Sequence, residues 1–400
     1  MTALGTEARP YVLGAPGKWR VTVWHGAWLC LLAALALSLL GVYAIDLGVV
    51  DGARRQADPT KQLMFLGVGL LAGAMVALPH YRLFGYLAWP AMMLSIGSLV
   101  FLLLPGVPAW LVTPRNGARG WINLGVVDFQ PAEPAKIAFV LAAAYFLRYR
   151  STHRTFLGLV PVGLIAFVPM ALITLQPDLG SASLFVPALF AMLLAAGARL
   201  RHLALIVILA GLAGPAAYPI LKPHQKERIA ALIGQFEGRR EGALDINYQS
   251  FTAQTLVGAG QWTGSTAGHA RALVRFNRLP ERHNDMIYAV IVARFGLLGG
   301  VAVLGLYVMW LAGALLTAAN CKDPFGRLLC VGFAGFIGAQ AVVNIGMNVG
   351  LLPIIGVTLP FVSYGGSSTL TTLLMTGLVF NVAMRRALPP FRASFEWEGE

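Results

Sequence analysis

The chain has 400 residues, of which 57 % are apolar and only 12 % are charged, and its mean hydropathy is +0.70. Roughly a quarter of the residues of a typical soluble domain are charged, so this chain has too few polar residues to cover two or three soluble domains. Its net charge of +13 would suggest nucleic-acid binding in a soluble protein, but the basic residues lie in short loops between apolar runs. The composition predicts an integral membrane protein and no nucleic-acid partner.

Ten apolar runs have roughly the length that a membrane-spanning helix needs, which is about 20 residues. Isolated prolines inside them do not exclude helices, because neighbouring helices can satisfy the freed carbonyls. We therefore predict an all-α polytopic membrane protein with about ten transmembrane helices. The runs lie at approximately 22–46, 62–79, 83–104, 132–147, 156–175, 179–198, 202–221, 285–316, 326–349 and 366–384.

The distribution of Lys and Arg predicts the orientation of the chain. With the N-terminus inside, the inner segments hold fourteen basic residues and the short outer segments hold five. Such an excess is typical of cytoplasmic loops, so both termini are predicted to be cytoplasmic. We expect an N-terminal tail (1–21), helices one to seven (22–221), an extracytoplasmic loop (222–284), helices eight to ten (285–384) and a C-terminal tail (385–400).

The loop 222–284 does not resemble a disordered linker. Ile229, Leu232, Ile233 and Phe236 have the i, i+3, i+4, i+7 spacing of an amphipathic helix. A second stretch, 270–276, mixes arginines with apolar residues, as in helices that lie along a bilayer surface. We interpret the loop as a large structured cap over the outer mouth of the helix bundle.

Polar residues that are costly at membrane depth cluster at the outer ends of the runs. FQPAEPAKIAF (129–139) places Glu133 and Lys136 at i, i+3 on one helical face, either as a buried ion pair or as substrate contacts. Asp178, in LQPDLGSA, stands near a probable helix start, where a carboxylate suits the helix dipole, so it is a helix cap or a catalyst. The Gly- and Pro-rich stretch 344–368 is predicted to be a re-entrant loop.

Asp285 differs from these residues because it ends a basic loop and precedes a long apolar helix. A partly desolvated carboxylate at that place can have a raised pKa and act as a general base. His283, nearby, receives no proton-transfer role on its own. Arg294, about nine residues into the same run, needs a carboxylate or a backbone partner.

Several segments carry a resemblance to a known family. They are GARGWINLG (117–125), FQPAEPAKIA (129–138), QPDLGSA (176–182), LKPHQKERI (221–229), NYQSFTAQTLVGAG (247–260), LPERHND (279–285) and GLLPIIGVTLPFVSYGGSS (350–368). In this order they resemble the SEDS family of shape, elongation, division and sporulation proteins, which includes RodA, FtsW and SpoVE. The resemblance covers roughly residues 115 to 385, and the LKPHQKERI segment resembles RodA more than FtsW.

The resemblance implies a glycosyltransferase that polymerises lipid II into peptidoglycan glycan strands during elongation or division, at the outer face of the cytoplasmic membrane. It implies a class B penicillin-binding protein as the partner that cross-links the product. The residue matching the family's essential acid is Asp285, and Lys136 is implied to line the same cavity. The remaining candidates for substrate binding are Glu133, Arg119, Arg278, Arg282, His283, Gln130, Asp178, Ser363 and Ser367.

The expected chemistry needs one base. The acceptor's 4-hydroxyl must lose a proton as it attacks the anomeric carbon of the donor, and a diphosphate leaves without protonation, unlike the leaving group of a glycosidase. The developing negative charge calls for cations or for a divalent metal such as Mg or Mn. By charge and side of the membrane, Lys136, Arg119, Arg278 and Arg282 are the candidate cations. The sequence shows no protein-only metal cage, so the diphosphate would supply ligands.

Two other functions fit the same pattern. A flippase or transporter of a lipid-linked cell-wall precursor would also have many spans and intramembrane charges, although such charges belong near the midplane. A non-catalytic scaffold for a penicillin-binding protein would function without Asp285.

Overall fold

The computed structural model describes residues 25–49, 57–108, 110–112, 118–125, 127–218, 226 and 248–385. This part of the chain is helical apart from one two-stranded antiparallel hairpin, β1 (Ile122–Asn123) and β2 (Asp128–Phe129). The helices are α1 (Ala27–Gly48), α2 (Pro59–Ala77), α3 (Tyr81–Tyr86), α4 (Ala88–Leu103), α5 (Ala132–Leu147), α6 (Val160–Leu175), α7 (Leu179–Ser183), α8 (Phe185–Ala195), α9 (Leu200–Ala217), α10 (Tyr248–Ala259), α11 (Ala267–Phe276), α12 (Ile287–Asn320), α13 (Pro324–Asn348) and α14 (Gly366–Met384).

The architecture confirms the predicted all-α polytopic membrane protein. Among the described residues, six helical stretches are long and apolar enough to cross a membrane, and shorter apolar helices accompany them. The total of ten spans stays a prediction. Two predicted spans, the third and the sixth, each contain one turn residue, Leu87 between α3 and α4 and Leu184 between α7 and α8, although the backbone of both residues stays in the right-handed helical region.

Small residues allow helices and irregular backbone to pack closely in the bundle. Gly73 of α2 and Gly377 of α14 lie so close that a Cβ atom at position 377 would be 2.3 Å from the Gly73 carbonyl oxygen. Such backbone contact is typical of helix pairs in membranes, where packing replaces the hydrophobic effect between helices.

α12 is not one continuous helix. Gly296 has φ +69° and ψ −168°, which interrupts the intrahelical hydrogen bonds. Residues between α10 and α11 replace the lost bonds: the Leu297 and Leu298 N–H groups donate to the carbonyls of Gln261 and Trp262 at 2.8 and 3.1 Å. Ser265 donates from its hydroxyl to the Ala293 carbonyl and from its N–H to the Arg294 carbonyl. The break therefore leaves none of these four backbone groups unsatisfied.

The Gly/Pro segment, residues 349–365, connects α13 to α14 without regular structure, and most of its second half is buried. Two glycines make room for it: a Cβ atom on Gly180 would lie 2.3 Å from the Ile355 carbonyl oxygen, and one on Gly41 would lie 2.4 Å from that of Val362. The Tyr307 hydroxyl of α12 also donates to the Pro360 carbonyl at 2.5 Å. Burial in protein is the condition under which non-helical backbone is tolerated at membrane depth.

The described part of the predicted cap contains α10 and α11. Ala270 and Val274 of α11 are buried, whereas Arg271 is exposed and pairs with Asp46 at the end of α1 at 3.0 Å. The amphipathic pattern at 229–236 lies outside the described residues, as do the tail 1–21 and nearly all of the tail 385–400.

Candidate functional site

Polar side chains meet at one end of the bundle. The starts of α5, α7, α12 and α14 lie there, together with the end of α13 and the Gly/Pro segment, because hydrogen bonds join all six. The sequence motifs are separate along the chain, but the fold brings them together in one site.

Glu133 and Lys136 lie on the first turns of α5 and form a buried ion pair. Lys136 Nζ is 2.7 Å from Glu133 Oε1, and the two residues are 2 % and 3 % exposed, respectively. Lys136 also donates to Gln340 Oε1 at 3.1 Å, whereas Glu133 Oε2 is buried without a hydrogen-bond partner. This geometry confirms the ion pair that the i, i+3 spacing predicts, and the substrate role stays a prediction.

Asp178, Gln130 and Ser367 lie beside this pair. Asp178 caps α7 by accepting from the Ser181 N–H at 2.9 Å, as the helix-cap interpretation predicts. Burial raises the pKa of the Asp178 carboxyl, and the nearby Lys136 charge opposes that increase. Gln130 Nε2 donates to Asp178 at 3.4 Å, and the Gln130 N–H donates to the Ser367 hydroxyl at 3.1 Å.

Asp285 lies two residues before α12 and is only 6 % exposed. Its main-chain carbonyl accepts from Asn344 Nδ2 and Asn348 Nδ2, both at 2.8 Å. Its Oδ1 atom, in contrast, is buried without a hydrogen-bond partner. The backbone of Asp285 is thus fixed while one carboxylate oxygen stays available.

Burial raises the pKa of the Asp285 carboxyl to about 7, and the negative charge of Glu281 raises it further. A pKa near the working pH is what a general base needs. Buried carboxylates with strongly raised pKa values occur preferentially at functional sites.

The loop before Asp285 holds the other predicted residues in different ways. Arg278 is exposed, with φ +46°. Arg282 donates from Nε to the Gly48 carbonyl at 2.5 Å, and partial burial lowers the pKa of its guanidinium. The pKa of His283 is also lowered by burial, and its carbonyl accepts from the Tyr364 N–H at 2.8 Å.

Ser363 joins the Gly/Pro segment to this loop. Its hydroxyl donates to the Asn284 carbonyl at 2.5 Å and accepts from the Leu359 N–H at 2.7 Å. Ser363 and Ser367 therefore both contact the site through backbone groups. Arg119 is half-buried, its Nε has no hydrogen-bond partner, and no described hydrogen bond or ion pair joins it to the others.

The sequence interpretation missed three amides on α13. Gln340 accepts from Lys136 and donates to the Thr358 carbonyl at 2.9 Å, while Asn344 donates to the Asp285 and Val357 carbonyls. Asn348 donates to the same Asp285 carbonyl. Their spacing of i, i+4, i+8 on an otherwise apolar helix places them on one face, and this was the available signal.

Arg294 has the backbone partner that the sequence demanded. Its NH1 group donates to the Ser265 carbonyl at 2.7 Å, and its Nε donates to the Tyr43 hydroxyl at 3.1 Å. Arg294 thus fastens the start of α12 to the cap and to α1.

Comparison with known proteins identifies the same group of relatives by family model and by sequence. The family described as "Cell cycle protein" (FtsW, RodA, SpoVE) matches residues 25–388. A relative named "Probable peptidoglycan glycosyltransferase FtsW", from Nitrosococcus halophilus, is 34 % identical over 369 residues, covering 89 % of this chain and 92 % of the relative. Stage V sporulation protein E of Bacillus subtilis is 32 % identical over 325 residues, covering 81 % and 86 %.

Two solved structures are also similar. A chain from a peptidoglycan synthase complex is 32 % identical with a TM-score of 0.74, covering 89 % of this chain and 96 % of that one. The Rod shape determining protein RodA of Thermus thermophilus is 28 % identical with a TM-score of 0.65, covering 90 % and 98 %.

The fold and site define a multi-pass membrane protein with a buried polar centre at one end of its helix bundle. The chain belongs to the FtsW/RodA/SpoVE family, as the seven sequence segments indicated. The particular likeness of residues 221–229 to RodA stays a prediction, since nearly all of that segment lies outside the described residues.

Proposed function

We propose that the chain polymerises lipid II into glycan strands, with Asp285 as the general base. The coarser activity, that of a peptidoglycan glycosyltransferase, follows from family membership and from the names of several curated relatives. The observation that carries the finer proposal is the buried Asp285 carboxylate, which has a raised pKa and an oxygen without a partner.

In the proposed step, Asp285 accepts the proton of the acceptor sugar's 4-hydroxyl. The oxygen freed in this way forms a bond to the donor's anomeric carbon, while the bond from that carbon to the diphosphate oxygen breaks. The undecaprenyl diphosphate leaves with the bonding electron pair and without a proton. A single carboxylate is enough, in contrast to the acid and base pair of glycosidases.

The diphosphate's negative charge needs stabilisation by cations. Lys136 is poorly placed to supply it alone, because Glu133 neutralises its charge and two of its three N–H donors are already used. Arg278, Arg282 and Arg119 are better candidates for diphosphate contact, since each retains guanidinium N–H groups that make no hydrogen bond within the described part of the chain. Lys136 instead connects α5 to α13.

A divalent cation, Mg or Mn, remains part of the proposal only as a companion of the diphosphate. Among the described residues, no group of three or more His, Cys, Asp or Glu side chains could hold a metal ion. The residues present therefore do not fit a protein cage, and no step depends on the metal. Mg²⁺ commonly binds through one or two carboxylates and substrate phosphates.

We further propose a class B penicillin-binding protein as the partner. One similar structure comes from a synthase complex that coordinates polymerization and crosslinking. The site is assigned to the outer face of the cytoplasmic membrane and both termini to the cytoplasm, as the Lys and Arg distribution predicts.

The test is polymerisation of purified lipid II by the purified chain with its penicillin-binding partner. Asp285→Asn keeps the size of the side chain and removes the base, so we expect no glycan polymer. Co-purification with the partner and the expression level should match the wild type. Polymerisation at the wild-type rate by Asp285→Asn would show that Asp285 is not the general base.

This assay, together with the growth of cells that depend on the variant, separates the alternative functions. A flippase would yield no polymer from the wild-type chain, and a scaffold would support cell growth equally well with Asp285→Asn. A matched control is Val342→Ala on α13, a side chain that is 67 % exposed, which should polymerise normally.

A further inference from the structure

Asn348 binds a backbone N–H that the side chain of a helix's own N-cap residue ordinarily binds. Its Oδ1 accepts from the Ala289 N–H, in the first turn of α12, at 3.1 Å. The residue at the α12 N-cap, Met286, makes no side-chain cap. The first turn of α12 is therefore capped from another helix, by a residue 59 positions further along the chain.

The first N–H groups of a helix have no intrahelical partner, and a nearby Asp is among the side chains that most often satisfy them. A carboxylate that accepts such N–H bonds is stabilised in its charged form and becomes a weaker base. Asp285 is close to α12 in sequence, yet its Oδ1 has no partner, and the Ala289 N–H is bonded to Asn348 instead.

The same amide also fixes Asp285 through its main chain. Asn348 Nδ2 donates to the Asp285 carbonyl at 2.8 Å, so one carboxamide bridges Asp285 and the first turn of α12. Asn344 donates to that carbonyl too, but contacts no N–H group of α12 in the described structure. Both amides thus bind the Asp285 carbonyl, but only Asn348 also binds the Ala289 N–H.

We propose that Asn348 is a positioning residue that caps α12 in place of Asp285, and so keeps the Asp285 carboxylate free to accept the substrate's proton. This inference rests on the proposed function of Asp285 as the base. It goes beyond that function because it assigns the basicity of Asp285 to a residue on α13.

Charged groups near Asp285 also act on its pKa. After burial, the negative charge of Glu281 is the cause that raises the Asp285 pKa. The elements that pack against α12 carry Tyr43 and Asp46 on α1, Tyr248 on α10, and His269, Arg271 and Arg275 on α11. Near Asp285 in the chain lie Arg282 and His283 on its own loop and Tyr288 and Arg294 at the start of α12, and Tyr364 of the Gly/Pro segment bonds to His283.

The experiment is the pH dependence of kcat/KM for lipid II polymerisation, which reports the pKa of the base in the free enzyme. Asn348→Leu removes the acceptor and frees the Ala289 N–H for Asp285. We expect the midpoint of the acid limb to fall by about one pH unit or more, and the plateau to fall roughly tenfold.

Asn344→Leu is the matched control, since it removes a donor to the same carbonyl and leaves the Ala289 bond in place. Its midpoint should equal that of the wild type, even if its rate is lower. Asn348→Asp retains an acceptor for Ala289, so its midpoint should stay at or above the wild-type value. This variant decides the question if Asn348→Leu does not fold.

Each outcome has a distinct meaning. An unchanged midpoint in folded Asn348→Leu, or a lowered one in Asn348→Asp, overturns the role of Asn348 while Asp285→Asn remains inactive. Normal polymerisation by Asp285→Asn overturns the proposed function itself.

Discussion

Lys136 on α5 and Gln340 on α13 are joined by a 3.1 Å hydrogen bond across 204 residues of sequence. Gln340 passes the contact on, because its Nε2 donates to the Thr358 carbonyl and hydroxyl of the Gly/Pro segment. One amide therefore connects the buried ion pair with the segment that reaches Asn284 through Ser363.

Gln340→Leu should lower the rate of polymerisation by roughly tenfold and change KM for lipid II little. The variant would displace the Gly/Pro segment, which positions the loop of Asp285 and does not itself bind substrate in this proposal. Steady-state kinetics with purified lipid II measure this. Gln340→Glu keeps an acceptor for Lys136 and loses the donor to Thr358, so its rate of polymerisation should lie between those of the wild type and Gln340→Leu. A rise in KM alone would instead make Gln340 a substrate contact.

Removing Lys136 should destabilise the protein strongly, because Glu133 would remain buried and unpaired. Breaking a buried ion pair at one partner costs about 3–5 kcal/mol. We expect Lys136→Met to lower the melting temperature in detergent and Glu133→Gln/Lys136→Met to regain most of it.

Activity in that double variant separates the two interpretations of Lys136. Recovery of polymerisation together with stability would limit Lys136 to packing. Persistent loss of activity in the stable double variant would show a contact with substrate.

Asp285 should make stability depend on pH. Its pKa of about 7 in the folded state exceeds the ordinary value near 4, so the folded state binds more protons between these values. Stability of the wild type should therefore fall by about 1.4 kcal/mol for each pH unit crossed in this window, as pH rises.

Asp285→Asn lacks this contribution. The melting temperature of the variant relative to the wild type should increase from pH 5 to pH 8, as followed by tryptophan fluorescence. A difference that does not change with pH would contradict burial of the ionised carboxylate.

Gly180→Ala should disturb the Gly/Pro segment, because the added Cβ would lie 2.3 Å from the Ile355 carbonyl oxygen. Overpacking of this kind costs about 1–3 kcal/mol, and we expect lower thermal stability together with lower polymerisation. The control is Gly67→Ala on α2, where no atom lies within 4 Å of the added Cβ. Equal behaviour of the two variants would exclude the proposed close contact.

Much of this fold could be predicted from the sequence, since long apolar runs report membrane helices directly. The i, i+3 spacing of Glu133 and Lys136 also offered their ion pair as one of two interpretations, because both residues lie on one helix. The interruptions of the third and sixth spans and the break at Gly296 were not predicted. The first two follow from Pro90 and Pro187, which lack the N–H groups that would bond the carbonyls of Tyr86 and Ser183. The break at Gly296 depends on contacts with a distant segment, which hydropathy does not record.

The candidate site was predicted less completely. Asp285 was selected from its place before an apolar helix and from the family resemblance, whereas the amides of α13 were overlooked. Asparagine and glutamine carry no charge, so the pattern of charged residues that indicates Arg278 and Arg282 does not indicate these amides. Their roles depend on hydrogen bonds to Lys136, to Asp285 and to the Gly/Pro segment that only the tertiary structure shows.

The connection between α10 and α11 supplies the hydrogen bonds that are lost at Gly296, and this constrains its length. Inserting one residue near Gln261 or Trp262 would shift both carbonyls away from the Leu297 and Leu298 N–H groups that they satisfy. Changes in the size of the predicted cap are then expected to be tolerated elsewhere in its chain, and a tag or fluorescent label placed in this turn should disrupt the helix that follows Asp285.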